Sequence, residues 1–159
     1  MNKRSEALAN RLEQGAMALA TYVEGLTPQQ WATPVPGEAR SVGILVHHVA
    51  NMYPLEMQLA QTIAEGQAIA GVTWDAVAEL NANHAHEHAD PDHMETLTLL
   101  RQNSMAAAAA TRTMTDDQLD IAVSNSLYGD APMTLQLWLE DHPISHSYKH
   151  LTAIKAVTM

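Results

Sequence analysis

Three histidines at successive steps of four, His142, His146 and His150, constrain this chain more than any other feature. On an α-helix a step of four advances one turn, about 6 Å along the axis and roughly 40° around it. The three imidazoles therefore form a stripe in which neighbours are close enough to share one ion. Leu135, Leu139, Ala153 and Val157 fall on the same stripe, so the histidines face the core side of their helix. Several inward-facing imidazoles in apolar surroundings point to a metal.

The rest of the chain supplies helices to build around that stripe. Leu8, Leu12, Ala16, Leu19, Val23 and Leu26 alternate steps of four and three, the apolar face of a helix over about 4–25. Thr27-Pro28 closes it, and 33–37, with Pro34, Pro36 and Gly37, reads as a loop. Ser41 is a suitable N-cap for a second helix presenting Leu45, His48, Met52, Leu55, Leu59 and Ile63, with a kink expected at Pro54. Thr73 caps a third carrying Val77, Leu80, His84 and His88 on one side, which Asp90-Pro91 interrupts. Asp92 and Glu95 have capping-box spacing and start a helix through Leu97, Leu100 and Met105. The small residues 106–110 allow close approach of another helix, in this chain or in a second subunit. Thr115 and Gln118 repeat the capping-box spacing, 124–132 reads as a loop, and Thr134 caps the last helix. Pro143 either bends that helix or lies in the first turn of one restarted at Asp141. No strand is expected. At 159 residues the chain has the size of one domain, so 1–159 reads as a single all-α domain whose four long helices form a bundle.

Composition narrows the function. Phe is absent and aromatics make up 4% of the chain, which leaves Leu, Ala, Val, Ile and Met, a palette suited to helices, to fill the interior. A formal net charge of −10 argues against nucleic acid as a partner, because phosphate binding calls for Lys and Arg. Cysteine is absent, so the chain offers no thiolate ligand or cysteine nucleophile and any thiol must come from a cosubstrate. Met1-Asn2-Lys3-Arg4-Ser5-Glu6 has no apolar run after its basic residues, and no stretch approaches the roughly 18 apolar residues of a membrane span. A cytoplasmic protein with no membrane partner is the expectation.

The chain holds His-x-x-x-His pairs at His84/His88, His142/His146 and His146/His150, an excess over chance for nine histidines in 159 residues. A lone inward histidine is ordinarily a hydrogen-bonded core residue, and His48 by itself would be read so. With His146 and His150 it completes two imidazoles from one helix and one from a facing helix, the three-nitrogen arrangement of an open, catalytic type of site. His142, one turn before His146, could be a fourth ligand, a partner behind the ligands or a pocket-lining base. Asn51 stays on roughly the side of His48 and could orient water or substrate. Glu56 lies about two turns from His48, too far to share the ion unless the Pro54 kink brings it round. His47 reads as an exposed neighbour, and His84, His86, His88 and His93 as a solvated helix end rather than a second site. No Glu follows a ligand His in the His-Glu-x-x-His manner, which disfavours a zincin-type protease.

Two stretches resemble a known family. Ser41-Val42-Gly43-Ile44-Leu45-Val46-His47-His48-Val49-Ala50 is similar to the second-helix signature of DinB-like proteins, bacterial metal-binding four-helix bundles, and His146-Ser147-Tyr148-Lys149-His150-Leu151 to their last-helix signature. The resemblance implies a four-helix bundle with a long crossover connection, assembled as a homodimer. It implies His48, His146 and His150 as ligands of a divalent ion such as Zn²⁺ or Ni²⁺; an all-imidazole site also suits Cu or Fe. Some relatives are transferases or isomerases that use a low-molecular-weight thiol. Two functions follow as expectations. One is a metal-dependent enzyme of thiol-transferase or hydrolase type, in which the ion acidifies a thiol or water. The other is a non-catalytic metal-binding or stress-response protein. Open coordination positions facing a pocket favour the first.

Overall fold

The computed structural model describes residues 2–159. Helix α1 (Lys3–Glu24) starts where the Asn2 side chain accepts from the Arg4 amide, and it buries Leu8, Leu12, Ala16, Leu19 and Val23, the stripe its 4/3 spacing predicts. Thr27-Pro28 then does more than end it. Thr27 and Gln30 form a reciprocal capping box that opens the short helix α2 (Pro28–Trp31). Beyond it, β1 (Pro34–Val35) and β2 (Arg40–Ser41) pair as an antiparallel hairpin where the sequence reads as a loop.

Helix α3 (Val42–Ala64) is capped by Ser41, whose side chain accepts from the Ile44 amide, and it continues through Pro54. The long connection that follows carries α4 (Trp74–Glu87), capped by Thr73. Asp92 caps α5 (His93–Arg112), and Thr115 with Gln118 forms the capping box of α6 (Asp116–Leu119). A second antiparallel hairpin follows, β3 (Ala122–Asn125) with β4 (Ala131–Thr134), with Ala122 opposite Thr134 and Asn125 opposite Ala131. Gly129, at φ 62°, supplies the left-handed residue in its turn.

The last helix is continuous but not uniform. Helix α7 (Leu135–Leu139), capped by Thr134, passes through one π turn, Glu140–Ile144, into α8 (Ser145–Thr158). Pro143 has no N–H and its ring crowds the carbonyl four residues back. A wider π turn accommodates both, so the helix is not restarted at Asp141.

Helices α1, α3, α5 and α7–α8 form a four-helix bundle, α5 packing on α1 and α3, and α8 on the same two helices from the other side. Ala107 and Ala108 are buried, so the small run on α5 serves packing within the chain. Of the apolar stripe on α3, Leu45 and Ile63 are buried, whereas Met52 and Leu59 are half-buried and Leu55 is exposed. These last three open onto a pocket. Among the described residues no helix is long and apolar enough to cross a membrane.

Candidate metal centre

Two buried bonds set how α3 faces the last helix. The Tyr53 and Ser147 hydroxyls lie 2.7 Å apart, and Trp138 Nε1 donates to the Glu56 carbonyl at 3.0 Å. Neither donor is exposed to water, so breaking either bond would leave a buried polar group unsatisfied, at about 1–3 kcal/mol. In the register they impose, His48 from the second turn of α3 meets His146 and His150 from consecutive turns of α8. One ring nitrogen from each lies within 4.8 Å of the other two, and Nε2 of His48 is 3.1 Å from Nε2 of His146.

Burial governs the protonation of this cluster. Desolvation first, then the neighbouring His146, pushes His48 down to about 2. The same two causes in the same order push His150 down to about 4. Both rings are therefore neutral at physiological pH and present lone pairs. Behind them, Glu56 is buried, with Oε1 2.9 Å from Nδ1 of His146. That approach is close in distance but not aligned as a hydrogen bond, and Nδ1 of His146 and Oε2 of Glu56 are buried without partners. A carboxylate on the far nitrogen of an imidazole is the usual support of a metal-ligating histidine, since it fixes the tautomer that leaves the other nitrogen bare. Three imidazoles, one backed by a carboxylate, fit a borderline divalent ion. The separation of His48 and His146 nitrogens is near the roughly 3.3 Å expected of two ligands on a tetrahedral ion with bonds of about 2.0–2.1 Å.

The cluster opens onto a pocket of ≈ 610 Å³. Its apolar wall comes from Met52, Leu55 and Leu59 on α3, Val77 and Leu80 on α4, and Trp138. Arg40 also lines it; the side chain is only 10% exposed, pairs with Glu38 through Nη2, and leaves Nη1 buried without a partner.

His142 lines the pocket too but stands apart from the three-nitrogen cluster. The π turn lies between it and α8, and its ring stacks on Trp138 at 3.8 Å. Its Nε2 is 2.9 Å from the Tyr128 hydroxyl, which donates to Asp141 Oδ2. Because an ionised carboxylate only accepts, the Tyr128 proton points to Asp141, and Nε2 of His142 must carry a proton of its own. Burial lowers the pKa of this histidine, so it is a neutral Nε2–H tautomer with Nδ1 bare.

The remaining sequence candidates fall elsewhere. Asn51 is exposed and does not line the pocket, because α3 carries it past the cluster toward solvent. His47 is half-buried rather than exposed, and it meets His84 and His88 in a second group of three imidazoles. The expected solvated end thus holds for His86, which is exposed, but not for His84, which is buried. His93 packs on Trp31 and bonds the Val23 carbonyl at 2.8 Å. Tyr128 and Arg40 carry no signal in the sequence as site residues. Glu56, which the sequence places about two turns from His48 and too far to share the ion without a kink at Pro54, stands instead behind His146.

The profile of the mycothiol-S-transferase family matches residues 7–151. Among solved structures the fold is similar to that of YfiT from Bacillus subtilis, described as a probable metal-dependent hydrolase with an unusual four-helix bundle topology. The TM-score is 0.64, with 21% identity over 98% of this chain and 90% of that one. At this identity the likeness is one of fold. No curated protein matches the chain.

Proposed function

The chain belongs to the mycothiol-S-transferase family, a DinB-like family, and from that premise we propose that it is a divalent-metal-dependent transferase. It joins a low-molecular-weight thiol, mycothiol or a close relative, to a small apolar electrophile. His48, His146 and His150 are the ligands, with Zn²⁺ or Ni²⁺ as the ion. One observation carries this reading: the three imidazoles sit at the end of a pocket with apolar walls and ≈ 610 Å³ of space. A structural site would be closed by a fourth side chain; among the described residues this cluster has three members and faces open space.

A divalent ion held there lowers the pKa of a thiol toward neutrality. The remaining work falls to the chain. Glu56 orients the His146 ring. His142, fixed in its tautomer by Tyr128 and Asp141, offers bare Nδ1 to a proton leaving the thiol sulfur. The sulfur then attacks the electrophilic carbon as the leaving group departs with its bonding pair. Met52, Leu55, Leu59 and Trp138 hold the apolar part of the electrophile and exclude water that would compete with the thiol. Arg40, paired with Glu38, puts a guanidinium on the pocket lining, where it favours a reactant that carries negative charge.

Metal content of the untagged protein and of a His146→Ala/His150→Ala variant, measured beside mycothiol conjugation of a halogenated aromatic electrophile, tests this. The parent is expected to lose conjugation with chelation and the variant to lack it. An ion bound at His48, His146 and His150 with no conjugation by any low-molecular-weight thiol would leave the non-catalytic metal-binding reading in its place.

A further inference from the structure

His47 precedes His48 on α3 and so projects about 100° further round the helix. There it meets α4. Its Nδ1 is 2.8 Å from Nε2 of His84, its ring stacks on that of His88 at 4.1 Å, and the His84 and His88 rings lie 4.8 Å apart. One nitrogen from each lies within 4.8 Å of the other two, and none of the three residues lines the pocket. We propose that His47, His84 and His88 form a second divalent-cation site, separate from the His48, His146 and His150 centre, whose ion clamps α4 onto α3.

The donor set specifies the class of ion. Three imidazoles without a carboxylate select a borderline transition metal, Zn²⁺ or Ni²⁺, and not Ca²⁺ or Mg²⁺, which want oxygen. Binding an ion requires the three nitrogens to come to the roughly 3.3 Å spacing of ligands on a tetrahedral ion, parting the His47–His84 pair and closing the longer gaps.

A second observation is independent of the spacing. Nδ1 of His84 is buried without a partner, and so is Oδ1 of Asn81, one helical turn earlier. A ligating histidine needs an acceptor for the proton on its far nitrogen, and an amide oxygen at i−3 is within reach of one. With an ion on Nε2 of His84, the two orphaned groups satisfy each other.

The third observation gives the ion a purpose. His84 is the buried residue of the 14 in α4, whose Trp74 and Leu80 are exposed. Apolar burial therefore does little to hold this helix, yet Val77, Leu80 and Asn81 form one wall of the pocket. An ion shared by α3 and α4 fixes that wall. The two sites are adjoining, since the His48 and His84 rings meet edge to face at 5.7 Å.

The test loads metal-free protein with Zn²⁺ alone, counts ions by native mass spectrometry, and follows hydrogen exchange over residues 74–88. The parent is expected to hold about two ions per chain, a His88→Ala variant about one, and His146→Ala/His150→Ala about one. Exchange over 74–88 should slow with Zn²⁺ in the parent and in His146→Ala/His150→Ala, but not in His88→Ala. His47→Gln, which keeps α4 intact, should match His88→Ala if either result reflects the site rather than misfolding. One ion in the parent that is abolished by His146→Ala/His150→Ala and kept by His88→Ala would overturn the second site while leaving the first. One ion abolished by His88→Ala alone would uphold the second site and remove the proposed catalytic centre. Two ions with exchange over 74–88 unchanged by Zn²⁺ would overturn the clamp.

Discussion

Glu56 stands behind the candidate centre, 2.9 Å from Nδ1 of His146, with its other oxygen unpartnered and no exposure to speak of. A buried carboxylate in that condition costs the metal-free fold, and it is offset only when the imidazole it faces gains positive character. Glu56→Gln should therefore weaken Zn²⁺ binding by roughly 10–100-fold. The thermal midpoint of the metal-free variant should be unchanged or higher; a chelator competition and a melt check the pair, and a lower midpoint with unaltered affinity would make Glu56 a packing residue instead. Tyr128→Phe addresses the other side of the pocket. Without the hydroxyl, Nε2 of His142 loses the partner that assigns its tautomer, so conjugation should fall by roughly 10-fold or more with metal content intact. His48, His146 and His150 could be read from spacing because two of them share one helix and the third lies on an apolar face. Glu56 and Tyr128 could not, because each meets its partner only through a packing register that no local pattern records. The second imidazole group is hidden from the sequence for a related reason: His84 and His88 have other histidines beside them on α4, whereas the partner that completes them, His47, stands on α3.

At the scale of elements, the caps were the most legible part of the chain. Ser41, Thr73, Asp92, Thr115 and Thr134 all accept from backbone amides at helix starts. The two hairpins were not legible, since strands of two and four residues are too short for alternation to stand out. Pro143 predicted a disturbance of the last helix, but its form, a π turn between two helical segments, depends on α1 and α3 holding both segments in line. Gly43 marks a constraint of another kind. A Cβ on it would lie 2.5 Å from Nε1 of Trp31, and that nitrogen is held by the Pro91 carbonyl at 3.0 Å while the ring packs on His93. The indole has nowhere to go. Gly43→Ala should thus destabilise by roughly 1–2 kcal/mol, overpacking exceeding the gain in helix propensity, as a denaturant midpoint would show. Gly15→Ala meets the ring of Tyr148, which is exposed and able to swing aside, and should cost less. Equal losses at the two glycines would mean that Trp31 is free to shift.

For the molecule as a whole, the buried imidazoles tie stability to pH and to metal together. In the unfolded chain each histidine takes a proton near pH 6.5, whereas burial holds His84 and His150 down to about 4 and His48 to about 2 in the fold. Between those values the unfolded state binds more protons than the native one, so stability rises with pH. The contribution is complete above about pH 6.5 and is lost as pH falls. The share of His84 and His150 is exhausted near 4, and that of His48 only near 2. Metal-free protein should lose roughly 5 °C or more of thermal midpoint between about pH 7 and about pH 5. Carboxylates held low by arginine, such as Glu13 beside Arg112, act in the same direction but at lower pH, so they do not obscure this window. Zn²⁺ steepens the dependence, because it binds only the deprotonated rings of the native state and raises the midpoint by mass action at neutral pH, an effect that disappears on acidification. Replacing His150 by Phe removes one of the titrating groups and one ligand at once. The slope of the metal-free melt between about pH 5 and about pH 7 should then flatten, and the response to Zn²⁺ at neutral pH should shrink to what His47, His84 and His88 supply. A variant that kept the parental slope would show that His150 is not buried as a neutral ring, and the linkage between packing and metal affinity at this centre would fail with it.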